Sequence, residues 1–448
     1  MPKVLLIHAT DPDLQLAEQP LMPFPVLGLT TIAALFPEEW EVSVIDEDVQ
    51  QVDTSQKADL VGISTLTLDA PHAYRIADTF KQRGIPLLMG GMHPSALPEE
   101  ALEHCDAVVV GEAEGVFSKI LDDFSKGTMR GIYRGGQVDL AKVPSPRLDL
   151  LQQSHRKILQ PVQATRGCPH DCEFCSVTAF FGHRYRLRPV SAVVADIETM
   201  LDSARSNIIF FVDDNIAGRP DYAKELFKNL IPLKIRWASF ASVTMTRDRE
   251  IMELARKSGC IELFIGFESI YQQNLDLSGK KWVRSDMMKE YIKIFHDYGI
   301  IVEGAFIFGH DHDSKDVFRR TVDFVQTTGI QVPVFGILTP YPATKLRARL
   351  EKEGRLLPEA SDWRRYDASH VLFSPANMSP LELEEGFLWA KKYCCAPRSI
   401  LKRMFRAPKV NWLMALGLNF SMRAGRMRQI HHRWPRKTKG PLIRPASW

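Results

Sequence analysis

Short apolar runs that end in glycine, serine or a carboxylate recur along most of this chain, separated by stretches of helical length, and they restrict it to an α/β fold. The first series places strands at residues 4–7, 42–45, 60–63, 86–89 and 107–110, with helical period over 73–83 between two of them. Apolar runs of this length bounded by turn formers read as buried strands, and strands alternating with helices build a parallel sheet. The expected unit is a doubly wound, Rossmann-like domain over residues 1–126. Ligands of such sheets bind beyond the carboxyl ends of the strands. Those ends carry Ser64 and Thr65, then Gly90, Gly91 and His93, then Gly111 and Glu112, and the glycines let backbone approach a ligand closely.

Gly135-Gly136 and Pro144-Ser145-Pro146 break the alternation, so 127–154 reads as a linker. A second series follows at 161–165, 208–212, 236–240, 263–267, 301–308 and 334–338. Six strand–helix units over 155–345 predict a partial (β/α)6 barrel of TIM type with its chemistry at the carboxyl-terminal face. Residues 346–400 read as a mainly helical region and 401–448 as a basic tail.

The run Cys168-Pro169-His170-Asp171-Cys172-Glu173-Phe174-Cys175 follows the first strand of the second series, where a barrel keeps its active site. Soft thiolates suit zinc or iron–sulfur clusters. Three cysteines leave one iron of a [4Fe-4S] cluster open, and an open iron can take the amino and carboxylate groups of S-adenosylmethionine. Zinc sites favour C-x2-C or C-x4-C steps separated by a longer loop, so a non-catalytic zinc or iron–sulfur regulator is the reading from another class. Cys105, Cys260, Cys394 and Cys395 fit no ligand spacing and are expected in the core. The cluster His310-Asp311-His312-Asp313 lacks helical His spacing, which argues against a metal role. Ordinary cysteine usage and the absence of a signal-peptide pattern point to the cytoplasm.

The C-x3-C-x-aromatic-C spacing resembles the signature of the radical S-adenosylmethionine (SAM) superfamily, and residues 155–345 resemble its barrel. The resemblance implies a [4Fe-4S] cluster on Cys168, Cys172 and Cys175, with Phe174 beside the adenine of SAM. It implies that Asp213 and Asp214 face the methionine end of SAM and that Glu268 and Ser269 form the polar end of the fourth strand. Gly304 and Ile307 would lie in the fifth-strand motif whose backbone contacts adenosine, and Leu338 at the sixth-strand end.

The first domain resembles the cobalamin-binding domain of the vitamin B12-dependent branch, through residues 25–29, 90–95 and 106–112. Ser64, Thr65, Gly90, Gly91, His93, Gly111 and Glu112 are then the implied cobalamin contacts. The D-x-H-x-x-G motif that supplies an axial histidine elsewhere is missing, since the loop after strand one reads His8-Ala9-Thr10-Asp11-Pro12. The resemblance therefore implies cobalt without a protein histidine below it. Methylthiotransferases need three more cysteines in this domain, where only Cys105 is available. Residues 363–375 resemble the domain that follows the barrel in hopanoid C-methylases. The implied activity is a cobalamin-dependent radical C-methyltransferase acting on an unactivated carbon of a lipid-like or other small metabolite. In it a 5′-deoxyadenosyl radical abstracts hydrogen from the substrate. A radical cyclase or ring-rearranging enzyme without methyl transfer is the alternative. An electron donor such as flavodoxin or ferredoxin is implied as a partner.

Net charge is +3, yet residues 396–448 hold thirteen Lys or Arg and no Asp or Glu, which leaves the rest of the chain at −10. Within this tail Trp412 to Leu416 and Phe420 lie between Arg403, Arg406 and Lys409 on one side and Arg423, Arg426 and Arg428 on the other. Apolar residues flanked by cations suit the surface of an anionic bilayer, so peripheral membrane contact is expected. Aromatic interleaving is too sparse for a nucleic acid partner. The apolar stretch 412–420 is broken by Asn419 and falls far short of the roughly 20 residues that span a bilayer.

Overall fold

The computed structural model describes residues 1–13, 26–151, 159–203, 206–407 and 409–433, with 203, 422 and 424–433 described by backbone alone. Residue 25, the linker's end at 152–154, the side chains of Arg426 and Arg428, and the tail beyond 433 lie outside the described residues.

Six parallel strands form the first sheet: β1 (Lys3–His8), β2 (Glu41–Asp46), β3 (Leu60–Ser64), β4 (Leu87–Gly90), β5 (Ala107–Val110) and β6 (Gly131–Arg134). Their order is β2-β1-β3-β4-β5-β6, so the winding reverses beside β1 and leaves a crevice at the strand ends there. Alternate residues of a strand point to opposite faces. Leu5 and Ile7 accordingly join the cluster with Phe80, while Val4 and Leu6 join the one with Val109 and Ile120.

Strand β6 corrects the linker reading of 127–154. Val108 of β5 pairs with Ile132, and buried Tyr133 donates to Asp123 at 2.6 Å. Four residues between Gly127 and Gly135 are too few to show a period, and only the neighbouring strand makes them one.

The second sheet begins at β7 (Gln160–Val162), after which β8 (Thr165–Arg166) and β9 (Arg186–Leu187) make a short antiparallel pair. It continues through β10 (Ile208–Phe211), β11 (Arg236–Ala241), β12 (Cys260–Glu268), β13 (Ile301–Phe308) and β14 (Val332–Ile337), all parallel and in chain order. Edge strands β7 and β14 do not pair, so the barrel is partial. Beyond them the chain meets itself: Leu346 N–H donates to the Glu173 carbonyl at 2.9 Å, and Arg349 reaches both Glu173 (3.0 Å) and Asp311 (2.7 Å). Phe211, Trp237, Leu263 and Phe308 bury against the outer helices, whereas Phe240 meets Phe210 edge-on at 5.6 Å and Phe264 at a tilt at 5.0 Å across neighbouring strands.

Helix Pro380–Cys395 starts with a capping box between Ser379 and Glu382 and packs beside β14. The tail expected from 401 is in part folded. Helix Pro397–Met404 runs through that boundary, and Ile400, Met404, Val410 and Ala415 pack against Ile301 and Val332. Arg403, named above among the cations that flank the apolar stretch, is fully buried. Its guanidinium donates to the Cys394 carbonyl, to Ser399 Oγ and to Asn419 Oδ1 at 3.0 Å, and Asn419 lies on the last helix, Trp412–Arg433. Among the described residues no helix is long and apolar enough to cross a membrane.

Candidate active site

The cysteine loop starts at a position only glycine fills well. Gly167 has φ +88, and a Cβ there would lie 2.9 Å from the Arg184 carbonyl oxygen. Two carboxylates from the end of β10 hold the loop's root, Asp213 accepting from Ala164 N–H at 3.1 Å and Asp214 from Gly167 N–H at 3.2 Å. On the far side Glu173 N–H donates to the Ser278 carbonyl at 3.0 Å. Cys168, Cys172 and Cys175 are half-buried, and Cys175 caps helix Ser176–Phe181. Burial pushes the Cys168 thiol up to about 11 and the Cys172 thiol up to about 12, and raises Cys175 as well. A dry thiol of this kind gives up its proton when a metal takes the proton's place.

Beside the cysteines stands a buried ion pair. Lys280 Nζ contacts Glu268 Oε1 at 2.6 Å and the Gly266 carbonyl at 2.7 Å, and its charge acts on Cys168 and Cys172. Glu268 sits at a register shift in β12 with φ +62, a left-handed conformation that a non-glycine residue adopts only under constraint. Phe174 meets His310 edge-on at 6.4 Å. His310 is buried, its Nε2 has no partner, and burial lowers its pKa to about 4, so the ring is neutral near pH 7. Lys280 and His310 escaped the sequence reading. Nothing in Ser278-Gly279-Lys280 signals a site, and His310 had been weighed only as a metal ligand.

The remaining expected SAM residues lie further from open space. Ser269 Oγ is taken up by Asn274 and by Tyr271 N–H. Gly304 packs against Ile330 and Phe267, with Ile307 partly buried on the same strand. Leu338 is core, its N–H on the Phe308 carbonyl.

In the first domain, Ser64, Gly90, Gly91, Gly111 and Glu112 line one cavity of about 310 Å³, closed on the barrel side by Arg166 and Phe181. Gly91, at φ +97, would place a Cβ 2.8 Å from the Thr65 carbonyl oxygen. Thr65 and His93 stand off the lining. Thr65 is buried under Gly90, and His93 has no exposed surface, with Nε2 at 3.1 Å from Glu100 and its ring edge-on to Trp363. Glu112 lies at the cavity wall and also ties the domains together, accepting from Arg166 at 2.8 Å and from both terminal nitrogens of Arg186. A second cavity of about 240 Å³ opens between Leu66 and Met92 of the first domain, Ala179 and Phe180 of the helix after the cysteines, and Tyr341 and Tyr366. Phe180 lines both cavities.

Residues 162–325 match the radical SAM superfamily and residues 18–121 the B12 binding domain. The bacteriochlorophyllide d C-12(1)-methyltransferase of Chlorobaculum tepidum is 33% identical over 397 residues, which covers 86% of each chain. This chain belongs to the cobalamin-dependent radical SAM methyltransferases. The hopanoid C-2 methylase of Rhodopseudomonas palustris is 26% identical over 346 residues, 74% of this chain and 65% of that one. In fold this radical SAM methyltransferase is similar to TsrM from Kitasatospora setae, with a TM-score of 0.69 over 95% of this chain and 99% of that one at 16% identity. It is equally similar to OxsB, with 0.70 over 94% and 72% at 16%. The family's cofactors are a [4Fe-4S] cluster, SAM and cobalamin, and the residues present fit them. Three half-buried thiols in one loop suit the cluster, the Lys280–Glu268 pair offers complementary charges to an amino acid end, and the glycine-edged cavity lets backbone approach a large ligand closely.

Proposed function

We propose that this protein is a radical C-methyltransferase that acts on an unactivated carbon of an apolar, lipid-like or ring-bearing small molecule. The observation that carries the reading is the 240 Å³ cavity between the two domains. Its lining is mostly apolar, with Leu66, Met92, Phe180, Tyr341 and Tyr366, and holds no charged side chain. Hydrogen abstraction from an unactivated carbon needs none.

When bound, the cluster and SAM supply a 5′-deoxyadenosyl radical and cobalamin supplies the methyl group. Cys168, Cys172 and Cys175 would hold the cluster, and Ser64, Gly90, Gly91 and Gly111 would line the cobalamin. The protein's own work is binding, orientation and exclusion of water. Lys280 and Glu268 present an ammonium and a carboxylate for the methionine end of SAM, and Phe174 and neutral His310 offer flat, uncharged surface for its adenine. Phe180 and Leu66 line the space between the cofactors with apolar surface. Chlorin macrocycles and hopanoids, named in the relatives, are two instances of the substrate class. Such molecules partition into bilayers, so the protein is expected to visit the membrane surface, reduced by a flavodoxin- or ferredoxin-type donor.

The test is anaerobic reconstitution with SAM labelled in its methyl group, a reductant, and chlorophyllide-type or hopanoid substrates. A product heavier by one labelled methyl, with 5′-deoxyadenosine and S-adenosylhomocysteine formed in equal amounts, is the expected result. Substrate consumed with no labelled methyl gained would sink methyl transfer and favour the cyclase reading.

A further inference from the structure

The last described helices carry a surface that the catalytic reading does not use. Large apolar side chains exposed to solvent concentrate between 401 and 420: Phe405 is 84% exposed, Leu413 65% and Trp412 56%, with Leu401 and Phe420 close behind. Leu401 and Phe405 stand four residues apart on helix Pro397–Met404 and its end, and Leu413 and Phe420 stand seven apart on Trp412–Arg433, so each pair shares one face. The opposite face of the last helix is buried through Ala415 and Asn419. Lys402, Arg406 and Lys409 are exposed among these residues, and no Asp or Glu occurs between 396 and 433.

We propose that this face docks on the surface of an anionic lipid bilayer. It gives the peripheral contact inferred above its residues, and it rests on the apolar-substrate reading for its purpose alone. A contiguous apolar patch of this kind marks an interaction site. Aromatic side chains favour the headgroup level, and each cation near an anionic surface adds about 1 kcal/mol. A two-fold pair through this face would instead bring two cationic patches together, with no Asp or Glu between residues 396 and 433 to offset Lys402 and Arg406.

The patch also has a fixed place on the barrel. Arg406 packs on Gly329 and the Lys409 backbone on Gly299, the glycines that precede β14 and β13, and Lys409 pairs with Asp297 at 2.9 Å. It therefore lies at the opposite end of the strands from the cysteine loop, separated by the eight residues of β13, roughly 26 Å. The end of the barrel that meets the bilayer is then the one opposite the cysteine loop.

The full-length reconstituted protein is floated with vesicles of phosphatidylglycerol and phosphatidylcholine, or of phosphatidylcholine alone. Wild type is expected to bind the first and not the second, and to be released as salt approaches about 1 M. Phe405→Ser/Trp412→Ser/Leu413→Ser and Lys402→Glu/Arg406→Glu are each expected to lose at least about tenfold in partitioning while keeping the thermal midpoint and 5′-deoxyadenosine formation. Equal partitioning of wild type and both variants, or wild type that never floats, overturns the proposal. Concentration-dependent dimers abolished by the apolar variant, without flotation, would assign the face to self-association. Failure of 5′-deoxyadenosine formation in wild type strikes the catalytic reading and leaves the flotation result standing by itself.

Discussion

At the scale of single residues, charge placed in dry surroundings decides most of what is distinctive here. Lys280 and Glu268 are both buried and touch at 2.6 Å beside the cysteine loop. Removing one partner of a buried pair strands the other charge, at about 3–5 kcal/mol. Lys280→Met is expected to lower unfolding stability by about 3 kcal/mol and to abolish SAM binding in calorimetry, and Lys280→Met/Glu268→Gln to regain stability without regaining binding. A double variant no more stable than the single one would show that Glu268 is not the stranded group. Asp69 offers a pH readout in the first domain, because burial raises its pKa from 3.8 to about 6. The protonated form is the one the fold prefers, so Asp69 contributes fully below pH 4 and that stability is lost as pH rises through 6. Asp69→Asn should therefore gain on wild type between pH 4 and 7, by about 3 kcal/mol in urea titrations. A gap that stays constant across that range counts against the raised pKa. The cysteines could be picked out as candidates from spacing alone, because all three lie within one loop. Lys280 was not, because its partner Glu268 and the cysteines converge on it only after β12 and the loop fold.

At the scale of elements, the strands of both sheets were readable and the departures have a common cause. Long apolar runs such as residues 301–308 carry their own signal, and β13 occupies Ile301–Phe308. Strand β6 and helix Pro397–Met404 carry little, and each is made by a neighbour: β5 supplies the pairing for one, and Ile301 and Val332 the apolar floor for the other. Arg403 shows the mechanism, since a guanidinium in a basic stretch reads as solvated until Cys394, Ser399 and Asn419 are seen to satisfy it. Arg403→Met is expected to loosen helix Trp412–Arg433 and to speed its removal by protease at least about tenfold, because the apolar replacement leaves Asn419 Oδ1 without this donor. Unchanged proteolysis would mean that Ala415 and its apolar neighbours hold the helix unaided. Gly91→Ala tests the strand-end cavity. At φ +97 and 2.8 Å from the Thr65 carbonyl, the added methyl strains the turn by about 1–3 kcal/mol, and cobalamin retention after gel filtration should fall.

At the scale of the whole molecule, the two domains are joined between the glycine-edged cavity and the cysteine loop. One carboxylate, Glu112 at the end of β5, holds Arg166 and Arg186 of the β8–β9 pair, and Arg166 lies two residues before Cys168. A buried, charge-assisted joint of this kind sets a distance more rigidly than apolar contact does. Glu112→Gln is expected to leave 5′-deoxyadenosine formation largely intact while methylated product falls about tenfold, so the ratio of the two rises. A proportional loss of both would indicate simple unfolding of the interface. Glu112, expected from the sequence as a cobalamin contact, stands at the cavity wall and on two arginines at once.

The order of local elements settled the class of this protein. Two βα series, three cysteines in one loop and glycines at strand ends are short-range patterns, and short-range patterns survive in a linear string. Tertiary structure alone decided which charges are buried and paired, which part of the tail is core and which is surface, and where two domains leave apolar space between them. Those outcomes depend on partners as far apart as Glu112 and Arg186, or Gln331 and Asn419. Burial and pairing exist only once such partners meet.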